Sequence, residues 1–280
     1  MVQPSEIQLG YLGFQLVSPS RILQPYIRSY WHFRRETPLV TPRQEYMHPT
    51  GGFGIVFNFG DALSLDMQAV ADPIFLDGVN TISRKLGFAG HVELMGIRFQ
   101  EGGAYPFLGI PLHELRNALT LLDALNRPDL LRLHARLHEA ESLPARINLL
   151  EAWLMDRLAI GKERNVLIPA SLAMLREWEG RLPIPELAQE MAISQRQLER
   201  LFRSQVGMSP KQYAQLLRVE TARLALKQMK DQTTTWLAND LDFFDQAHFI
   251  REFKAVIGMT PYAYMRRHLQ VESYRLQAKL

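Results

Sequence analysis

Two stretches near the C-terminal end of the chain share one pattern of apolar and polar positions. Leu187-Ala188-x-Glu190-Met191-x-Ile193 aligns with Leu237-Ala238-x-Asp240-Leu241-x-Phe243, fifty positions on. Leu198, Arg200, Phe202, Gly207, Ser209-Pro210 and Tyr213 then align with Phe249, Arg251, Phe253, Gly258, Thr260-Pro261 and Tyr264, after one residue inserted near Phe244-Asp245. Two copies are too few for a stacked solenoid, so the unit itself must be identified. In the first copy Leu187, Ala188 and Met191 recur on one helix face until Ala192-Ile193-Ser194 interrupts them. Ser194 has the chemistry of an N-cap. Leu198, Leu201 and Phe202 then mark one face of a second short helix, with Gln195, Arg196, Glu199, Arg200 and Arg203 on the opposite face. The second copy repeats the plan, with Asp245 as N-cap, Phe249, Ile250 and Phe253 as apolar bulk, and Gln246, Arg251 and Lys254 outward.

The pattern upstream is different. Residues 1 to about 110 carry short alternating or apolar runs broken by turn residues: Gly10–Val17, Ile22–Phe33, Phe53–Phe59, Ile74–Leu76 and Leu94–Phe99. Such runs predict a β-rich, barrel-like domain able to hold a small ligand in its mouth. From Pro111 to Ile160 the pattern turns helical. Its clearest helix is Arg146–Ile160, with Ile147, Leu150, Leu154 and Leu158 on one stripe. That stripe must be covered, by the same chain or by a second copy. Residues 161–165 are short and polar and form the expected linker, and Leu172, Leu175 and Trp178 begin the next helix. The expected fold is therefore α+β in two domains, with an all-α C-terminal domain. The expected boundaries are 1–110, a helical dimerisation or linker region 111–165, the helical domain 166–270, and a tail 271–280.

A helix this short must dock its apolar stripe on a partner helix, and its polar side faces something else. Gln and Arg make bidentate contacts to base edges, and Arg and Lys pair with phosphate. Two helix-turn-helix units with such second helices point to double-stranded DNA. A solvated helical face carrying Arg and Gln by chance would explain one copy about as well. It explains two copies in register poorly.

Phe243-x-Asp245-Gln246-x-His248-Phe249-x-Arg251-x-Phe253-Lys254-x-x-x-Gly258-x-Thr260-Pro261-x-x-Tyr264 resembles the signature of the AraC/XylS family of bacterial transcription regulators. The resemblance covers roughly the last hundred residues. It implies two helix-turn-helix units bridged by one long helix, here Pro210–Met229, with recognition helices at about Gln195–Ser204 and Gln246–Lys254 entering successive major grooves. Gln195, Arg196, Glu199 and Arg200, with Gln246, Ala247, Ile250 and Arg251, are the expected base readers. Arg203 and Lys254 are the expected phosphate contacts. The chain departs from the family at Asp242, where Gly is usual in the turn, and at Asp240, where Ala is common. Asp tolerates positive φ, so the turn is expected to persist, while two acidic groups near phosphate oppose binding. Pro49 to Asp61, with Gly102-Gly103-Ala104, is similar to the N-terminal sensor domain of an AraC-type subgroup.

Composition narrows the alternatives. The 280 residues contain no cysteine, which excludes thiolate zinc sites, disulfides and thiol nucleophiles. From residue 166 onward 16 basic residues face 12 acidic ones, a net +4, whereas the first 165 residues hold 16 and 17, a net −1. The cationic excess coincides with the repeat. His32, His48 and His91 are isolated, and His134 and His138, four apart, lack further ligands and read as a solvated helix face. Neither a metal, a cofactor nor an enzymatic activity is expected. With no signal peptide or apolar run near the roughly 20 residues of a membrane span, the expected location is cytoplasmic. Trp31, Phe33, Phe53, Phe57, Phe59, His91 and Arg98 are the candidates for an effector pocket, with plain core packing as the alternative for each aromatic. Arg98 needs either an anionic effector, Glu93 or Glu101 as partner, or exposure. Besides DNA, candidate partners are RNA polymerase, a small-molecule effector and a second copy of the chain. The competing reading is a helical protein–protein adaptor whose Arg-rich faces meet an acidic partner.

Overall fold

Strand alternation in the N-terminal half produces two sheets that share an apolar layer. The computed structural model describes residues 13–121, 127–228 and 245–277. The larger sheet runs β1 (Gln15–Val17), β2 (Ile27–Arg34), β9 (Glu93–Phe99), β4 (Gly54–Asn58), β7 (Ile74–Asp77), β10 (Leu119–Leu121) in spatial order, with antiparallel pairing throughout. The smaller one runs β3 (Leu39–Met47), β8 (Arg84–Gly90), β5 (Leu63–Leu65), β6 (Gln68–Val70). Phe33, Val56, Phe75 and Leu94 of the first sheet pack on Leu63, Leu65, Val70 and Phe88 of the second, which makes the domain barrel-like. Gly96 is required here, because a Cβ would lie 2.2 Å from the ring of Trp31.

The other face of the large sheet presents Tyr30, Ile55, Phe57, Ile74, Leu76, Met95, Ile97 and Phe99 to helices. These are α1 (Tyr105–Leu108), α2 (Pro128–Glu139) and α3 (Leu143–Ile160). Leu130, Leu133 and Leu137 of α2 and Leu150 and Leu154 of α3 are buried there, so the α3 stripe is covered by its own chain. The segment expected to be helical from Pro111 begins with a 3-10 helix (Leu112–Leu115) and then donates β10 to the large sheet. The strand-bearing region thus reaches Leu121. A three-residue edge strand carries too little alternation to register as a strand in sequence. β3, β5, β6 and β8 were equally hidden; β3 is mostly exposed, with the polar run Thr-Pro-Arg-Gln-Glu in its middle.

The C-terminal part is helical: α4 (Leu167–Glu177), α5 (Ile184–Glu190), α6 (Gln195–Gln205), α7 (Pro210–Gln228), α8 (Gln246–Ile257) and α9 (Pro261–Gln277). Its core is continuous with that of the sheet and α3, through Ile168, Leu172, Leu187, Leu198, Phe202 and Tyr213. Polar contacts reinforce the join. Glu101, 4% exposed, accepts from Arg28 on β2 and from Arg176 on α4, and Arg176 also donates to the Tyr213 hydroxyl. Ser83 donates to the carbonyl of Val256, and the His48 ring lies edge-on to Tyr264. The 161–165 segment is not a loose linker. Lys162 donates to the Gly109 carbonyl, Arg164 to the Pro25 carbonyl, and the Asn165 amide to Gln205.

Candidate nucleic-acid interface

The first helix-turn-helix is built from α5, a turn and α6. Leu187 and Ala188 are buried under α5, and the chain reverses through Ala192 at φ 53°. A left-handed non-glycine residue is uncommon and strained. Ala192 aligns with Asp242 of the second copy, so the turn position singled out in sequence is a positive-φ position in the copy that is described. Ser194 then starts α6 with a capping box: its side chain accepts from the Gln197 amide while the Gln197 side chain accepts from the Ser194 amide. Leu198 and Phe202 are 0% exposed, whereas Gln195, Arg196, Glu199, Arg200 and Arg203 are all exposed. Gln195 donates to Glu199 across one turn at 3.3 Å. The C-terminal end of α6 meets the strand-bearing half of the chain, where the His113 ring contacts the Arg203 carbonyl at 3.2 Å.

In the second copy the residues aligned with α5, including Asp240 and Asp242, lie outside the described residues. α8 follows its expected plan. Asp245 caps it by accepting from the His248 amide at 2.6 Å, and Gly258 ends it at φ 83°. Phe249 and Phe253 are fully buried, and Gln246, Ala247, Arg251 and Lys254 are exposed. Ile250 is half-buried and packs against the core, so it offers only part of its side chain. His248 lies 3.3 Å from Glu252, one turn away.

α7 follows α6 and is buried at Tyr213, Leu216, Val219, Ala222 and Leu226. Arg218 donates to the Gly180 carbonyl before α5 and to Glu252 of α8, which ties the approach to α5 and α8 to one helix. Arg223 is held by Glu220 and donates to Tyr264 on α9. Neither arginine was singled out in sequence, because a buried arginine on a long helix has the same spacing as a solvated one.

The expected effector-pocket residues do not converge. Trp31 and Phe33 face the layer between the sheets, while Phe53 and Phe57 face the helices. Alternation along β2 and β4 separates them. Arg98 donates to the Thr50 hydroxyl at 2.8 Å, and burial pushes its guanidinium pKa down to about 10. His91 lines a cavity at the rim of the large sheet together with Phe59. His134 is not on a solvated face: it contacts the Asn58 carbonyl and stacks on Phe59 at 4.8 Å. Among the described residues no cluster of His, Cys, Asp and Glu could hold a metal ion, and no helix is long and apolar enough to cross a membrane.

A helix-turn-helix with a buried apolar stripe and an exposed Arg/Gln face defines a DNA-binding class of domain. Residues 187–267 match a helix-turn-helix domain family, and residues 15–120 match a domain of unknown function (DUF6597). Over its helical part the chain is similar to HTH-type transcription regulators. It is 30% identical over 131 residues to the HTH-type transcriptional activator RhaS of Escherichia fergusonii, covering 47% of this chain and 40% of that protein. It is 30% identical over 145 residues to the HTH-type transcriptional regulator ArgR of Pseudomonas aeruginosa, covering 47% and 43%. The Arabinose operon regulatory protein of Salmonella typhimurium is 30% identical over 124 residues, covering 41% and 43%. The match thus spans about two fifths of each relative. Among solved structures, ToxT from Vibrio cholerae aligns over 82% of this chain and 98% of its own, at 11% identity and a TM-score of 0.42.

Proposed function

We propose that this chain is a sequence-specific regulator that reads double-stranded DNA with two recognition helices, α6 and α8, in successive major grooves. The observation that carries the reading is the division of each helix: Leu198, Phe202, Phe249 and Phe253 are fully buried, and the polar faces opposite them are open. Gln195, Arg196, Glu199 and Arg200 read bases in the first unit; Gln246, Ala247, Arg251 and the free part of Ile250 read them in the second. Arg203 and Lys254 neutralise phosphate and fix register. Residues 166–270 form the reader, and 111–165 connect it to the sensor. A small-molecule effector bound to the sensor shifts operator affinity by its differential affinity for two arrangements of the parts. RNA polymerase and a second copy of the chain are the further partners of this reading. The large sheet and α1 to α3 share a core with the reader, and that continuity supports the coupling.

The test is the salt dependence of binding to duplex DNA. Neutralised phosphates release counterions, so affinity falls steeply and log-linearly with salt. A protein adaptor with an acidic partner predicts the same weak, salt-sensitive affinity for every duplex, whereas a sequence-specific reader keeps a preference for a selected duplex over random ones.

A further inference from the structure

Each recognition helix ends against the strand-bearing half of the chain. The last carbonyls of a helix have no partner within it and need donors from elsewhere. At the end of α6 the Arg203 carbonyl, which only accepts, lies 3.2 Å from Nδ1 of His113 in the 3-10 helix. Beside it, Arg116 donates to Gln212 at the start of α7. At the end of α8 the Val256 carbonyl accepts from the Ser83 amide at 2.8 Å and from the Ser83 hydroxyl at 3.2 Å. Both carbonyls belong to the last turn of their helix.

The two donors come from loops that are stitched together. One loop, residues 78–83, follows β7; the other, residues 111–118, precedes β10, the antiparallel neighbour of β7. Asn117 makes the stitch. Its side-chain oxygen accepts from the Thr81 amide at 2.8 Å, and its side-chain nitrogen donates to the Thr81 hydroxyl at 2.9 Å. Its own amide donates to the Val79 carbonyl at 3.1 Å. The residue holds φ 52°, a conformation that asparagine adopts more readily than most residues. Val79 of one loop and Leu112 of the other then pack on Gly207, which lies between α6 and α7 at φ 91°. A Cβ there would meet Val79 Cγ2 at 2.8 Å and Leu112 Cβ at 3.2 Å. So α6, its joint with α7, and α8 all rest on one pair of loops.

We propose that these loops form a bracket that fixes the placement of α6 relative to α8, with Asn117 as its positioning residue. The strand-bearing half then sets which separation of the two DNA footprints the chain accepts. The inference rests on the DNA reading above for its partner and on its own contacts for its geometry. A glycine joint changes φ with little steric resistance, and the bracket packs against that joint. One base pair inserted between the footprints moves one of them by about 3.4 Å and turns it by roughly 35° about the duplex axis. A rigid pair of helices loses contacts under that change, whereas a loose pair keeps them.

The chain contains no cysteine, so spin labels placed through Arg200→Cys and Arg251→Cys report only the separation of α6 and α8. These are equivalent, exposed positions of the two copies. Pulsed electron spin resonance on the full chain without DNA should give one narrow distance peak. Asn117→Gly keeps the backbone conformation and loses the side-chain stitch, and should broaden or split the peak. Asn117→Asp keeps an acceptor for the Thr81 amide and hydroxyl, and should retain it. With the unlabelled chain, a duplex selected by the wild type is compared with the same duplex lengthened by one base pair between the footprints. The wild type should bind the longer duplex about tenfold more weakly or worse, the size of one mismatched pair, and Asn117→Gly should cut that factor to about threefold or less. An unchanged peak in Asn117→Gly, an equal broadening in Asn117→Asp, or an undiminished penalty for the longer duplex would overturn the bracket. Failure of the wild type to select any duplex would instead sink the DNA reading, and the distance peak would still decide the bracket.

Discussion

Glu101→Gln should loosen the join between the sheet domain and the helical reader. The carboxylate is 4% exposed and accepts from two guanidiniums: Arg28 on one side and, at 3.1 Å, Arg176 on the other. The amide keeps the shape, supplies one acceptor in place of two, and turns an NH2 toward a cation. Removing one member of a fully buried ion pair costs roughly 3–5 kcal/mol. Here the Arg28 and Arg176 side chains retain 32% and 45% exposure and can turn toward water. The expected loss is therefore about 2–3 kcal/mol, a large share of the roughly 5–15 kcal/mol that holds a typical protein folded. Urea unfolding at neutral pH reads it, with the exposed Glu163→Gln as a control expected to change little. A Glu101→Gln shift under about 0.5 kcal/mol, the range of surface substitutions, would refute the reasoning.

Other expected outcomes are simpler to state. Phe202→Ala or Phe253→Ala should cost about 3–5 kcal/mol in urea unfolding, since both rings are fully buried; a loss below 1 kcal/mol, on the order of a surface change, would contradict the packing. Ser194→Ala breaks the capping box and should cost about 1 kcal/mol by the same assay. Ala192→Gly relieves a φ of 53° and should be neutral or stabilising by up to about 1 kcal/mol, whereas a clear loss would mean the turn is built differently. His48 is pushed down to about 4, first by burial and then by the Arg223 charge. The unfolded ring gains its proton near 6.5 and the folded one only near 4, so stability should fall as pH drops between those values. The loss should reach roughly 2–3 kcal/mol, and His48→Gln should flatten that part of the pH profile.

The chain displayed some of this molecule plainly and concealed the rest. α6 and the long helix α7 were legible because their apolar spacing, the Ser194 cap and the Ser209-Pro210 start all agree. β2, β4 and β9 were visible through aromatic and β-branched runs, although β2 begins at Ile27, after a turn that the run from Ile22 obscures. The short strands β5, β6 and β10 offer only three residues each, which no periodicity can resolve. The effector candidates were chosen for aromatic content, and alternation sent them to opposite faces of one sheet. His32 and Arg146 could not have been paired from sequence, since they lie 114 positions apart and only the docking of α3 on β2 joins them. Arg218 likewise shows its role only once Gly180, before α5, and α8 are seen beside α7.

The central claim is that the exposed faces of α6 and α8 read bases. The direct measurement is the affinity of Arg196→Ala and Arg251→Ala for an operator selected by the wild-type protein from random duplexes, with unfolding curves run in parallel. Each variant should keep wild-type stability, because both side chains are exposed, and lose about 1–3 kcal/mol of specific binding for each base contact removed. Wild-type affinity in both variants would contradict the account.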